Sequence, residues 1–378
     1  MYIWSMAEEF NPFLLQGYEG ADTFCDRVEE LEFLRNAMAN QRNVSLISLR
    51  RLGKTALIRH FFATQQKFTP VFVDLYRTTD QDGMVLRIVR ETIKQVGKPT
   101  AAWLKEVGQA IRSLSFSMHF DALTGLPEFG VAAGPEGRQM PALDELFRFL
   151  EGRRKPVVIA LDEFQQITEY PETNTEALLR EHVQKLRNVQ FIFSGSNRRL
   201  MQALFTGAKR PFYQATEPLC LGPIPTDEYV AFILGHFKRG KRRIDEAVVR
   251  AGLDWCRGHT YYVQYLFNRL YGLALKQYGP EDLRAVQVSL LKERAPEYMT
   301  LKRLLSPNQA ALLTAVARAG EVEVPTSAAF IREHGLSAVS TVRQSLRVLV
   351  EKELLHQAEG CYRLTDVFLG HWLADGSI

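Results

Sequence analysis

A short apolar segment, Val44–Ser48, breaks into a polar loop and resumes as a helical pattern after Gly53–Thr55. Strand, loop and helix in this order predict a phosphate-binding loop, in which backbone N–H groups at the helix start face a polyphosphate. Lys54 would place its charge on the β and γ phosphates, and the Thr55 hydroxyl would ligate Mg²⁺. The full pattern G-x-x-x-x-G-K-[ST] is not met, because Ser48 occupies the position of its first glycine. The residues expected to contact a nucleotide here are Arg50, Arg51, Leu52, Gly53, Lys54, Thr55 and Ala56.

Two carboxylates follow a second apolar segment, Val157–Leu161. Such a segment is typical of a buried strand in a parallel sheet, where ligands bind beyond the carboxyl ends of the strands. Asp162 is expected to hold the Mg²⁺ ion, and Glu163 to orient or deprotonate the water that attacks the γ-phosphate. A solvated acidic turn is the alternative interpretation. The two motifs in this order together indicate ATP or GTP binding.

Strand and helix patterns alternate as far as residue 225, which predicts an α/β P-loop core with a parallel sheet and flanking helices. Further strands are expected at Pro70–Tyr76, Val189–Ser194 and Leu219–Leu221. Polar residues end the second of these strands. Ser194, Ser196 or Asn197 could sense the γ-phosphate there, although a plain strand-ending turn explains any one of them equally well.

Two local features accompany the core. Helical spacing begins within Phe24–Leu34, for which Asp26 is the expected N-cap. Period-two alternation in Leu114–Phe120, with Phe129–Ala132 across a turn at Gly125, predicts a short β-hairpin at the sheet edge. The hairpin could serve as a lid or partner surface, or be an insertion without such a role.

The composition narrows the class of protein. A chain of 378 residues suggests two or three domains, and 46% hydrophobic with 24% charged residues excludes a fibrous or wholly disordered protein. No apolar run approaches about 20 residues, and the first ten lack the features of a signal peptide, so we expect a cytoplasmic protein with no membrane contact. Four scattered cysteines indicate neither a zinc site nor a disulfide framework. A net charge of +4 permits nucleic-acid contact without arguing for it.

Helical periodicity replaces the strands beyond Thr226 and predicts a small all-α module. Its helices are expected at Asp227–Phe237, Asp245–Cys256, Tyr261–Tyr278 and Pro280–Leu301. The basic run Lys238–Arg243 is interpreted as a solvated face, with contact to nucleic acid or nucleotide as the alternative.

The last part of the chain shows the order of a winged helix-turn-helix. The expected helices are Asn308–Ala319, Thr326–His334 and Ala338–Lys352, followed by a β-ribbon through Leu355–Leu364. Arg343, Gln344 and Arg347 share the outward face of the third helix and suit contacts with base edges in duplex DNA. Residues 301–378 carry about as many acidic as basic residues, so the electrostatic footprint of a strong DNA binder is missing. Contact with a protein, or with another part of this chain, is therefore favoured.

With these motifs in place, the chain resembles the STAND group of bacterial and archaeal P-loop ATPases, relatives of AAA+ proteins, in its branch with a C-terminal winged helix. The motifs that carry the resemblance are Asn11–Phe13, Phe24–Arg27, Arg50–Thr55, Asp162–Gln165 and Ser194–Ser196. It implies a P-loop ATPase core at 1–225, a helical lid module at 226–300 and a winged helix at 301–378. It also implies nucleotide contacts from Asp26, Arg27 and Ser194.

Two further family segments are matched with changes. The segment near the nucleotide base stands here as Gly258–Tyr262, with Thr260 in place of a proline, so Gly258 and His259 are implied to contact the nucleotide. A family arginine is missing near Ala215, and Arg210 is the candidate to replace it.

The resemblance implies a slow ATPase that uses ATP and Mg²⁺ as a molecular switch, coupling nucleotide state to conformation or assembly with a protein partner or further copies of itself. The alternative is a DNA-binding transcriptional or defence regulator whose ATPase core controls oligomeric state. Duplex DNA would then meet Arg343, Gln344 and Arg347. A small-molecule kinase would share the phosphate-binding loop, but nothing in the sequence indicates an acceptor pocket.

Overall fold

The computed structural model describes residues 10–97, 100–120, 127–133, 141–358 and 360–376. These divide into two compact units, residues 16–224 and residues 10–15 together with 225–376. None of the described helices is both long and apolar enough to cross a membrane.

The first unit alternates helices and strands. In chain order these are α1 (Val28–Ala39), β1 (Val44–Ser48), α2 (Lys54–Thr64), β2 (Thr69–Asp74), α3 (Gln81–Val96), α4 (Ala101–Ala110), β3 (Leu114–Phe120), β4 (Pro127–Ala133), α5 (Pro141–Glu151), β5 (Val157–Asp162), α6 (Thr175–Lys185), β6 (Val189–Gly195), α7 (Arg198–Thr206) and β7 (Glu217–Leu221). A 3₁₀ turn, Phe164–Glu169, follows β5. The helix at Arg198–Thr206 was not predicted from the sequence.

Five parallel strands form the sheet of this unit, in the order β2-β5-β6-β1-β7. Strand β1 lies between β6 and β7, so the loop after β1 opens beside the end of β6. Alternate strand residues pack on opposite faces, because successive side chains of a strand point to opposite sides. Leu46, Val158 and Ile192 share a core with α1 and α2, whereas Ile159 and Phe193 share a second core with helices that include α3, α5 and α7. Burial on both faces explains the continuous apolar sequence of these strands.

Two predicted details of this unit have different outcomes. Strands β3 and β4 pair antiparallel, which confirms the hairpin, while its predicted turn at Gly125 lies outside the described residues. The two strands form a sheet of their own and do not extend the edge of the five-stranded sheet. The predicted N-cap Asp26 is wrong, since α1 begins after Arg27, which has a left-handed backbone with φ of 73°. Asp26 itself has φ of 53°, so the chain turns sharply before the helix starts.

The second unit is mainly helical. Its elements are α8 (Thr226–Arg239), β8 (Arg243–Ile244), α9 (Glu246–Trp255), α10 (Thr260–Gly272), β9 (Gln277–Tyr278), α11 (Pro280–Arg303), α12 (Pro307–Ala319), α13 (Ala328–Glu333), α14 (Val339–Glu351), β10 (Leu355–Ala358), β11 (Cys361–Leu364) and α15 (Val367–Asp375). The module predicted to be all-α contains a parallel ribbon of β8 and β9. The helix predicted to reach Tyr278 ends at Gly272, and Ala274 then takes φ of 55°.

The winged-helix pattern is confirmed by α12, α13 and α14 followed by the antiparallel pair β10 and β11. On α14, Val342, Leu346 and Leu349 are buried. The outward side chains Arg343, Gln344 and Arg347 are exposed as predicted. Helix α15 packs onto α9 and α10. The ring of Phe368 lies 4.9 Å from that of Trp255 in α9 and 4.7 Å from that of Tyr262 in α10.

The segment of residues 10–15 belongs to this second unit, which differs from its predicted place in a core of residues 1–225. Asn11 Nδ2 donates to the Asn268 carbonyl at 2.9 Å, and Asn268 Nδ2 donates to the Phe13 carbonyl at 2.7 Å. Phe13 is fully buried among aromatic side chains of the helices. Hydrogen bonds with Asn268 thereby hold the first described residues against helix α10.

Candidate active site

The loop between β1 and α2 is shaped by two left-handed residues. Gly53 has φ of 95° and is the N-cap of α2, and Arg51 has φ of 66°. Helix α2 begins at Lys54, so the N–H groups of its first turn point out of the helix end. Backbone dipoles give this end partial positive charge, and Arg50 and Arg51 are exposed beside it. The loop therefore has the form of an anion-binding site.

Lys54 is held by residues of the preceding strand and loop. Its side chain is 6% exposed, and Nζ donates to Ser48 Oγ at 2.9 Å and to the Leu49 carbonyl at 3.1 Å. The serine at the position of the missing glycine thus supplies an oxygen that orients the lysine. Sequence reasoning counted Ser48 only as a departure from the motif.

Asp162 stands at the end of β5 and accepts three hydrogen bonds. Thr55 Oγ1 donates to Oδ2 at 2.8 Å, while Ser194 Oγ at 2.6 Å and the Glu163 N–H at 3.1 Å donate to Oδ1. Burial raises the pKa of Asp162, and the bonds from Ser194 and Thr55 oppose that rise. The Thr55 hydroxyl and the Asp162 carboxylate are oxygen donors of the kind Mg²⁺ prefers, so the residues fit the predicted metal site.

Glu163 follows with a left-handed backbone, φ of 53°. Its Oε2 accepts from Gln165 Nε2 at 2.5 Å and from Ser196 Oγ at 2.7 Å. The two serines at the end of β6 thus bind different acids: Ser194 donates a hydrogen bond to Asp162, and Ser196 donates one to Glu163. Asn197, the third sensor candidate, instead caps α7 by accepting from the Leu200 N–H.

The Arg27 side chain connects the phosphate-binding loop to the segment after β7. It is buried, and Nη2 donates to the Leu52 carbonyl at 3.3 Å and to the Gly222 carbonyl at 2.8 Å. Nη1 pairs with Glu30 at 2.8 Å. A buried guanidinium that joins the loop to the segment after β7 fixes the loop's position. The predicted nucleotide contacts of Arg27 and Asp26 themselves stay predictions.

Other predicted site residues lie elsewhere. Gly258 and His259 belong to the second unit, where His259 is the N-cap of α10, so their nucleotide contact stays a prediction. Arg210 forms an ion pair with Glu176 at 2.5 Å. Burial raises the pKa of Glu176, and Arg210 opposes that rise.

Parts of the chain are similar to known proteins. Residues 296–375 match the family described as "Probable winged helix domain". No curated protein sequence matches the chain. A Walker-type ATPase of Pyrococcus abyssi is similar in structure, with a TM-score of 0.67 and 17% identity over 96% of this chain and 99% of that one. The ORC2 protein of Aeropyrum pernix, solved in ADPNP-ADP complexes, has a TM-score of 0.59 and 14% identity over 93% of each chain.

The fold of the chain is similar to the folds of these two proteins. A parallel sheet with flanking helices is followed by a C-terminal winged helix, as the sequence predicted. The strand ends that bring Ser48, Asp162 and Ser194 together are the carboxyl ends, where ligands of such sheets bind.

Proposed function

We propose that the protein is an ATP-binding and ATP-hydrolysing switch of the STAND type. The observation that carries this proposal is the pair of hydrogen bonds that Asp162 accepts from Thr55 and Ser194. These bonds join the start of the helix after the phosphate-binding loop to the ends of β5 and β6, which is where phosphates, metal and water must meet. The similar ORC2 protein was solved with ADPNP and ADP, which supports ATP as the nucleotide.

Each residue of the site has a role in this proposal. Backbone N–H groups of Gly53–Ala56 and the Lys54 ammonium hold the β and γ phosphates, with Arg50 and Arg51 adding positive charge at the loop. Thr55 and Asp162 would hold a Mg²⁺ ion, which neutralises charge on the phosphates when bound. Glu163 orients or deprotonates the attacking water.

The switch couples nucleotide state to conformation or assembly. Residues 226–300 would act as a helical lid that carries Gly258 and His259, and residues 301–378 would form the winged-helix domain. A nucleotide shifts such an equilibrium only by binding one state more tightly than the other. The nucleotide-bound and nucleotide-free forms must therefore differ in their contacts, their assembly, or both.

Nucleotide binding is tested by calorimetry with Mg²⁺ and ADPNP on the parent and the Lys54→Ala variant. Loss of measurable binding is expected, because Lys54 is the side chain that places its charge directly on the β and γ phosphates, and the backbone N–H groups carry only partial charges. Lys67→Ala, which removes an exposed lysine of the same unit, is the control and should bind normally. Undiminished affinity in Lys54→Ala would overturn the assignment of the loop.

The switch itself is tested by size-exclusion chromatography with light scattering in apo, ADP and ADPNP states. A change in mass or hydrodynamic radius between the ADP and ADPNP states is expected. Identical elution profiles in all three states, together with measurable hydrolysis, would show that the protein is an ATPase but would overturn its role as a switch.

A DNA-binding regulator is the second candidate, because α14 exposes Arg343, Gln344 and Arg347 on one face. Under the switch proposal the full chain should bind random duplex with a dissociation constant of about 10⁻⁴ M or weaker at physiological salt. Tight, salt-sensitive binding that is lost in the double variant Arg343→Ala, Arg347→Ala would favour the regulator. Fluorescence anisotropy with a labelled duplex at two salt concentrations measures both.

A further inference from the structure

Gln165 lies in the 3₁₀ turn directly after the two acids, and its side chain turns back towards Glu163. The residue is 8% exposed, and Nε2 donates to Glu163 Oε2 at 2.5 Å. A polar side chain that is buried this deeply is normally held by its hydrogen bonds. Here the bond goes to the carboxylate that the proposed function assigns to the attacking water.

Gly195, at the end of β6, makes the room that Gln165 occupies. A Cβ atom at this position would lie 2.1 Å from Gln165 Oε1 and 2.6 Å from Met201 Sδ. Real Cβ atoms essentially never approach that closely, so any larger residue would displace one of these side chains. The glycine is thus needed for close packing.

The orientation of the Gln165 amide follows from its surroundings. Oε1 is buried and has no hydrogen-bond partner among the described residues. Leaving a buried acceptor unsatisfied is unfavourable, yet the reversed amide would place its oxygen against the Glu163 carboxylate. The bond from Nε2 to Glu163 therefore decides the orientation.

Ser196 completes the contact from the neighbouring strand end. Its Oγ donates to the same oxygen, Glu163 Oε2, at 2.7 Å. Within the described part of the chain, Glu163 Oε1 accepts no hydrogen bond from a side chain or backbone group. Two donors on one oxygen fix the rotation of the carboxylate and leave the other oxygen for water.

We propose that Gln165 and Ser196 are positioning residues that hold Glu163 in the geometry needed to align the attacking water. The inference rests on the proposed ATPase function and deepens it, because it assigns Ser196, a candidate γ-phosphate sensor, to the orientation of Glu163. A misplacement of about 1 Å in a reacting group can cost about 100-fold in rate, so a positioning contact of this kind should be visible in turnover.

The test compares steady-state ATP hydrolysis and ADPNP affinity in the full chain. Gln165→Met retains a long unbranched side chain without the donor, and Ser196→Ala removes the hydroxyl. We expect kcat to fall about 10-fold to 100-fold in each variant, with KM and the dissociation constant of ADPNP within about twofold of the parent. Ser196→Thr, which restores a hydroxyl, should recover most of the lost kcat.

A matched control is the next residue. Gln166 Nε2 donates to Glu169 at 3.1 Å near the surface, so Gln166→Met loses a similar bond away from the acids and should keep the parental kcat. In the Glu163→Gln background, Gln165→Met should cause no further loss, because the group through which it acts is already removed. An additive loss in that background would contradict the proposal.

The remaining outcomes are distinguishable. Parental kcat in both Gln165→Met and Ser196→Ala, with hydrolysis still abolished by Glu163→Gln, would overturn only the positioning role. Equal losses of kcat and nucleotide affinity would assign Gln165 a structural role and also overturn it. A parent chain that binds ATP without hydrolysing it would overturn the proposed function, and this inference with it.

Discussion

The imidazole of His371 lies flat against the indole of Trp255, with ring centroids 4.6 Å apart and planes 7° from parallel. His371 Nε2 also lies 2.8 Å from the Trp255 carbonyl, and since a carbonyl only accepts, this nitrogen carries the proton. The pair fastens the last helix, α15, to the end of α9. That end leads directly into Gly258 and His259, the segment proposed to contact the nucleotide. Together with the contacts of Phe368 with Trp255 and Tyr262, this pair connects the winged helix to that segment.

Acidification is expected to weaken the unit formed by residues 10–15 and 225–376. Burial lowers the pKa of His371 below its ordinary value of 6.5, and the hydrogen bond to the Trp255 carbonyl opposes only part of this shift. The unfolded chain therefore takes up a proton at a higher pH than the folded chain. The stability linked to this group is complete above about pH 6.5 and is lost as the pH falls below that value. Urea unfolding at pH 8 and pH 5.5 measures the change.

His371→Gln is the matched variant for this prediction, because its amide can still donate to the Trp255 carbonyl but does not titrate in this range. The variant should lose less unfolding free energy between the two pH values than the parent. Burial also lowers the pKa of His60 and of His182 in the first unit, but both histidines are present in both proteins and cancel in the comparison. An equal loss in both proteins would show that His371 is not responsible.

Phe13→Ala should destabilise the second unit by about 3–5 kcal/mol, since it removes a fully buried aromatic ring and leaves a cavity. The ring of Phe13 contacts those of Phe237 and Phe267 with centroids 5.9 Å away in each case. Phe10→Ala is the control, because Phe10 is 58% exposed. Chemical denaturation followed by tryptophan fluorescence should show a lower midpoint for Phe13→Ala alone. Matching midpoints in the two variants would contradict the packing described for this segment.

Arg27→Met should loosen the phosphate-binding loop. Losing the buried guanidinium leaves the Leu52 and Gly222 carbonyls without these donors, at a cost of about 1–3 kcal/mol in unfolding free energy. Affinity for ADPNP should fall as well, because a mobile loop must be ordered on binding. Arg35→Met, at an exposed position on α1, is the comparison variant and should alter neither quantity. Unchanged affinity and stability in Arg27→Met would show that the hydrogen bonds of Arg27 have no effect on the loop.

Glu163→Gln should retain ADPNP binding but lose hydrolysis by about 100-fold or more. The amide preserves the shape of the side chain and leaves Asp162 unchanged, yet it no longer accepts a proton from water. Phosphate release under steady-state conditions measures the loss, and Glu169→Gln, at a nearby exposed carboxylate, should turn over at the parental rate. Turnover equal to that of the parent would move the catalytic role to another group, with Asp162 the next candidate.

Local patterns were sufficient for much of the architecture. The sequence alone predicted the β1–loop–α2 unit around Lys54, the buried strand before Asp162, and the three helices and ribbon of the winged helix. Each of these depends on residues close together in the chain, where periodicity reports directly which side chains are buried. The outward position of Arg343 on α14 was predicted correctly for the same reason.

Contacts between distant residues were decided only by the tertiary structure. The sequence could not show that Ser194 would bond Asp162 while Ser196 bonds Glu163, because the sharing depends on the register of β6 beside β5. Nor could it show that Arg27 reaches the carbonyl of Gly222, 195 positions away, or that Asn11 pairs with the backbone of Asn268. The periodicity of apolar residues along the chain indicates which side chains are buried, but not which distant group each of them contacts. That choice follows from packing and hydrogen bonding, which must satisfy all buried groups at once.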